Sequence, residues 1–305
     1  MNIKYLTSVA CKLYRCRIGK IINYRWIPVF WLRCLVSKKE VESLESHFNS
    51  TEIGRSFLEH HPHVWFQLLR ENFYRNSKAS ERLKLIIDTW KLIEKHFSDE
   101  TRQKIYCHEI QGEPHQLWQM DYNGKPLKVE INFIDGEIKE GCICITLKLD
   151  DLSVFHMNLW AVNRENKLKA YIGCYQGSRD GLDVNRELTK FLFGCRPQNF
   201  LFVALQEFVK ALGITELYAV SSYGHYSNKF HSSERKPKIS YDEFWQECGG
   251  TLSSDKRFYS MPLEQQRKTY EEIPTKKRAY YRKRYELLDQ MTEAIKSSIR
   301  TTGAF

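Results

Sequence analysis

The sequence predicts an α+β fold, with N-terminal helices followed by an antiparallel sheet that helices cover. Three observations carry that expectation. Apolar residues recur at helical spacing up to about residue 100. The period then switches from 3.6 to 2 across residues 126–174. Beyond residue 174 the pattern returns to helix, strand and helix. Together they divide the chain into an arm over 1–39, a helical region over 40–100 and an α+β core over 101–305.

The arm holds nine Lys and Arg and no Asp or Glu, out of 47 basic residues in the whole chain of 305. Tyr5, Leu13, Tyr14, Ile18, Trp26, Phe30 and Trp31 interleave with that charge. Two readings stay open. The segment can lie on an anionic membrane surface, apolar face inward and basic groups on the headgroups. It can equally be a helix packed on the body with a solvated basic face. The remaining 38 basic and 37 acidic residues leave the rest near neutral, so nine of the net +10 charges belong to the arm. Global charge therefore argues against a nucleic-acid-binding domain.

In the helical region Thr51 is placed to cap a short helix that stops before Pro62. His60, His61 and His63 sit at that break, at a spacing that does not suit ligands on one helix face. Leu83, Ile86, Ile87, Trp90, Ile93 and Phe97 mark a helix over 81–97 with Ser80 as its N-cap. Alternation then predicts strands over 126–134, 142–149, 153–162 and 167–174, with turns at Asp135-Gly136 and at Asn163 and Asn166. Two earlier runs, 104–111 and 115–122, extend the meander. Alternation of this kind implies one buried face and one wet face. A loop over 175–185 leads into a helix over 183–192. Pro197 opens the next helix and Gly213 ends it. A strand over 214–221, a helix over 241–248 and a last helix over 275–299 complete the order.

No run of about 18 apolar residues occurs, so no transmembrane helix is expected. The stretch 27–36 is short and holds Arg33, and it fits a signal peptide poorly. Nine cysteines, without a C-x-x-C pair, read as reduced thiols in a cytoplasm rather than a disulfide framework or zinc site. Cys142 and Cys144 share a strand face and read as packing residues.

Three segments can carry chemistry. The first is IGCYQGSRDGLDVNR (172–186), where a strand leads through a glycine-bearing loop to a helix start. Such a junction points backbone N–H groups and a helix N-terminus at an anion. Gln176, Gly177, Asp180, Gly181 and Arg186 are its candidate cofactor-binding residues. Its bland alternative is a tight connection capped by Asp183. The second is 221–233, a loop after a strand end, with Ser221, Ser222, His225, Tyr226 and His231. His225 and Tyr226 are the candidate acid/base groups. No G-x-S-x-G elbow occurs, so a hydrolase triad is rejected. The third is KKRAYYRKR (276–284), where Lys277, Arg278, Tyr281 and Arg284 form a basic patch. That patch offers RNA phosphate contacts with aromatic stacking, or else a solvated basic turn.

Four runs in order, YIGCYQG (171–177), FGCRPQNFLFVALQEFVKALGITELYAVSSYGHY (193–226), YDEFWQECGG (241–250) and KKRAYYRKRYELLD (276–289), resemble the VirK/YbjX family of gram-negative bacteria. The resemblance implies a role in virulence and envelope upkeep, including resistance to antimicrobial peptides and surface-protein display, and it supplies no catalytic residues. The element order also resembles acyl-CoA-dependent N-acyltransferases, which implies acyl-CoA or acyl-carrier protein as the thioester donor. The loop departs from that family's Gln/Arg-x-x-Gly-x-Gly/Ala pattern, since Gln176 is followed by Gly177 and then Gly181. A helix over 183–192 also intervenes.

Overall fold

The structure, a computed structural model, describes residues 3–14, 24–134, 139–178, 181–230 and 241–302. Asp180, His231, the turn at Asp135-Gly136 and the arm's Arg15, Arg17 and Lys20 lie outside the described residues.

Among the described residues seven α-helices come first: α1 (Ile3–Leu13), α2 (Ile27–Val36), α3 (Lys38–Asn49), α4 (Glu52–His60), α5 (Val64–Leu69), α6 (Ala79–His96) and α7 (Asp99–Gln111). Thr51 caps α4 as expected, accepting the Gly54 N–H at 3.1 Å. Ser80 does not cap α6. The helix starts earlier, and Glu81 reaches back to the Lys78 N–H at 2.8 Å. The expected strand over 104–111 is helix instead. Its start signal is Ser98, which accepts the Thr101 N–H, with Asp99 and Glu100 in the first turn. Ile105, Tyr106 and Cys107 are all buried, so the local alternation that suggested a strand does not describe a half-wet surface.

The sheet then forms from β1 (His115–Tyr122), β2 (Lys125–Asn132), β3 (Ile143–Leu149), β4 (Leu152–Arg164) and β5 (Lys167–Gly177), each antiparallel to the next. Two helices, α8 (Leu182–Phe191) and α9 (Pro197–Ala211), carry the chain back to β6 (Glu216–Val220). β6 therefore pairs with β5 in parallel. After α10 (Tyr241–Glu247), β7 (Thr251–Leu252) and β8 (Phe258–Met261) complete an eight-stranded sheet in the order β1-β2-β3-β4-β5-β6-β8-β7. A 3-10 turn over Thr275–Lys277 leads into α11 (Arg278–Thr302). Asp183 is not the cap of α8: Gly181 occupies that position, and Asp183 pairs with Arg186 one turn on.

The expectation of one wet face is also corrected. Phe244 and Trp245 from α10 pack on Tyr175 on one side of the sheet, and Phe202 from α9 packs on both of them. Phe73 and Tyr74, between α5 and α6, close on Trp160 on the other. Glu130, Asn132, Thr146, His156 and Asn158, which a wet face would hold in water, are buried. The apolar core runs continuously from Leu6 in α1 to Ile299 in α11.

Burial leaves an acid-sensitive point at the sheet edge. His115 packs its ring on Phe97 at 5.5 Å. Desolvation, with Lys104 nearby, lowers its pKa from 6.5 to about 4. The unfolded chain thus takes up this proton at a higher pH than the folded chain does. Stability is expected to fall as pH drops from 6.5 to about 4. His47, His96 and His108 shift the same way through burial and add to the slope. Melting temperatures across that window check it, with His115→Gln flattening the decline; a constant melting temperature for the wild-type chain contradicts it.

Candidate functional site

β5 and β6 pair only from Lys169–Glu216 to Ile172–Ala219. β5 then continues to Gly177 while β6 ends at Val220, so β5 runs on past the end of its parallel partner and leaves a fork there. The register against β4 shifts at the same level, between Asn158 and Leu159, which places Gly173 as an extra residue on β5. Gly173 is required there. A Cβ would overlap the Glu140 carbonyl oxygen and meet the Trp160 ring at 2.7 Å. The missing side chain lets the segment before β3 cross β5 and bring Glu140 into the fork.

The loop after β6 supplies the opposing groups. Gly224 passes so close to Arg257 that a Cβ would overlap its carbonyl oxygen. The Gly224 N–H donates to Ser221 Oγ at 2.9 Å, and the Arg75 N–H donates to the Gly224 carbonyl at 2.7 Å. This holds His225 and Tyr226 against Glu140. The Tyr226 hydroxyl donates to Glu140 Oε1 at 3.1 Å, and His225 Nε2 lies 3.7 Å from the same oxygen. His225 Nδ1 faces the Ser227 hydroxyl at 2.7 Å and accepts the Ser227 N–H at 3.4 Å. That assignment places the proton of a neutral ring on Nε2, toward Glu140. Cys174 Sγ approaches Glu140 Oε2 at 3.9 Å and accepts from Asn158 Nδ2 at 3.3 Å. The side chains of His225 and Glu140 keep 13% and 20% of their surface open, while His225 Nε2 itself is buried.

Electrostatics separate the roles of these groups. Burial, then the Glu140 charge and its hydrogen bond, raises the Tyr226 pKa, so Tyr226 remains a phenol. Burial, then Cys174 and Glu140, raises Tyr241 in the same direction. Cys174 is pushed well above a free thiol by burial and by Glu140, which leaves no thiolate to act as a nucleophile. The arrangement is one carboxylate facing a phenol and an imidazole, competent for proton transfer in both directions.

A polar band, buried except at Gln176, leads away from the cluster across the sheet. Glu130, Thr146, His156 and Gln176 stand opposite one another on β2 to β5. Asn132, Cys144, Asn158 and Cys174 form the adjacent row, and Asn158 joins the band to the Glu140 cluster. Burial raises the Glu130 pKa, against the opposing pull of Lys148 and Lys128. These residues occupy alternate strand positions, which sequence periodicity identifies as one face but cannot identify as covered.

The structure brings His225 and Tyr226 together and adds Glu140, which sequence reasoning missed. Glu140 sits between strands in a segment with no period, and only the glycine on a distant strand admits it. Gln176 lies on β5 beside His156 and is exposed, and Gly177 pairs with Phe155. The Ser178 N–H donates to the Val154 carbonyl at 3.0 Å, so the β4–β5 ladder extends into the predicted loop. Gly181 is buried at the start of α8, while Arg186 stands in solvent beside Asp183 at 3.4 Å. The basic patch is separate. Lys277 is exposed, Arg278 stacks on Tyr270 at 3.8 Å, and Arg284 lies over Tyr281 at 4.3 Å while its Nε donates to the Phe193 carbonyl. His61 is buried between Phe57 and Phe133, and among the described residues no group of His, Cys, Asp and Glu is gathered for a metal.

The chain is 29% identical over 241 residues to an uncharacterized protein of Haemophilus influenzae, covering 74% of this chain and 78% of that one. It is 27% identical over 183 residues to the uncharacterized protein YbjX of Escherichia coli, covering 58% and 55%. No solved structure matches. The family described as "Protein of unknown function (DUF535)" matches residues 20–297, nearly the whole chain. With the Glu140 cluster and most of the described fold inside that span, the chain belongs to the DUF535 family, that of the VirK/YbjX proteins.

Proposed function

We propose that the protein transfers an acyl group from an acyl thioester, on coenzyme A or acyl-carrier protein, to an amine acceptor in the fork between β5 and β6. The observation that carries this reading is the Glu140–His225–Tyr226 cluster at the point where β6 ends beside the continuing β5. In this reading an extended donor lies along the part of β5 beyond the end of β6, and the cluster supplies both proton transfers. As the acceptor nitrogen attacks the thioester carbon, its proton passes to the Glu140 carboxylate, directly or through His225. The C–N bond forms, the C–S bond breaks, and Tyr226 protonates the leaving thiolate. The 3.1 Å hydrogen bond then returns the proton from Glu140 to Tyr226 and resets the site. The oxygens and thiol around the cluster match proton transfer and offer no activated thiolate for a covalent route.

The cellular role we attach to this chemistry is envelope upkeep and virulence, with resistance to antimicrobial peptides and support of surface-protein display, exerted from the cytoplasmic side of the inner membrane. The family resemblance supports it. A melting-temperature shift with acyl-CoA and with acyl-carrier protein tests the chemistry. Saturating donor at about 100 times Kd is expected to stabilise by about 2.7 kcal/mol. No shift with either donor removes the acyl-transfer reading. For the cellular role, a deletion strain sensitive to cationic peptides is expected to be rescued by the wild-type chain and not by Tyr226→Phe.

A further inference from the structure

We propose that α2 docks the protein on an anionic phospholipid bilayer, lying flat in the headgroup region. The argument starts from the two apolar faces of this helix. Phe30 and Cys34, one turn apart, are buried and anchor α2 to the body. Leu32, Leu35 and Val36 point the other way and expose 61%, 59% and 79% of their surface. With Pro28 they fall at the i, i+4, i+7, i+8 spacing of a face that is ordinarily covered. Trp26, 40% exposed, adds an aromatic ring at the start of the same helix. A helix that is apolar on both sides is stable in water only if something covers the second side.

Length and charge select the cover. Ten residues span about 15 Å, half the thickness of a hydrocarbon core, so α2 lies on a bilayer rather than crossing it. No helix among the described residues is long and apolar enough to cross a membrane. Arg25 is exposed in the turn just before α2, and Lys38 and Lys39 are exposed at the start of α3 just after it, Lys38 within 3.9 Å of Glu42. Residues 1–39 contain no acidic group. A second copy docking through this face by a two-fold axis would set the same basic rim against itself. Anionic headgroups complement that rim while the acyl boundary takes up the leucines, valine and tryptophan. By contrast α1 has no spare apolar face, because Leu6, Val9, Ala10 and Leu13 are already in the core. The two readings of the arm thus separate: α1 is packed, and α2 is the docking helix.

Flotation of the full chain with phosphatidylglycerol-containing vesicles and with pure phosphatidylcholine vesicles tests the proposal. Binding is expected only to the anionic vesicles and weakens with salt. Leu32→Glu with Leu35→Glu is expected to reduce it by about tenfold or more, through lost burial and added repulsion. Arg25→Glu with Lys39→Glu, which keeps the apolar face, is expected to reduce it to a similar extent and to remove the salt dependence. Leu182→Glu, at an exposed leucine on α8, leaves it unchanged. All three alter exposed positions, and unchanged melting curves show that the fold is intact. Equal binding to both vesicle types, no binding to either, or a dimer dissolved by Leu35→Glu without vesicle binding each overturns the proposal. Its failure leaves the acyl-transfer reading standing, because the donor titration does not involve α2.

Discussion

Gly173→Ala is expected to destabilise the protein by about 2 to 3 kcal/mol, the larger part of the range for overpacking a tight interior site. For a chain of this size that corresponds to a fall in melting temperature of roughly 3–5 °C. The added methyl has no space: the Glu140 carbonyl occupies it from the strand-crossing segment, and the Trp160 ring stands 2.7 Å away. Trp160 cannot yield, because it is fully buried, stacked on Tyr171 and met edge-on by Phe73. The backbone carrying Glu140 must move instead. Function is therefore expected to fall more than stability does, since a displacement of one ångström breaks the hydrogen bond from Tyr226. An unchanged melting temperature would remove the account of Gly173 as the residue that admits Glu140.

Glu140→Gln and Tyr226→Phe are each expected to lower acyl transfer by about 10²- to 10⁴-fold, the usual range for a positioned proton-transfer group. Neither change alters packing volume, and both keep the contacts of the ring and the side-chain stem. Tyr226→Phe keeps the ring against His225 at 4.6 Å and removes only the hydroxyl that protonates the thiolate. Glu140→Gln keeps an oxygen for Tyr226 and removes only the basic charge. The double variant is expected to lose little more than the worse single variant, because the two groups pass one proton between them. Activity should fall through kcat, while the donor-induced melting shift persists. Full turnover by both single variants would exclude this cluster as the proton-transfer site.

Much of the architecture was legible from local signals. Pro197 and Gly213 bracket α9, Thr51 caps α4, and the alternation over 153–162 places β4, because each of these depends on neighbours a few residues away. The helix over 104–111 is hidden from local signals for a related reason. Ile105 and Cys107 alternate with polar neighbours, and the Ser98 cap that decides the matter lies outside the run. His225 and Tyr226 were legible as a polar loop after a strand end. Glu140 was not, since nothing near it in the chain marks it, and Gly173 on β5 is what makes room for it.

The amino-acid sequence by itself determined most of the order of helices and strands, the concentration of positive charge in the arm, and the family. Those follow from spacing, composition and short runs of residues. Tertiary structure alone decided which faces are covered. It buried the band from Glu130 to His156 that alternation marks as wet, took α1 into the core, and left Leu32, Leu35 and Val36 outside. It also assembled one carboxylate, one phenol and one imidazole from segments 86 residues apart. Periodicity reports which residues share a face. Whether that face meets water, protein or another surface depends on what long-range packing places above it.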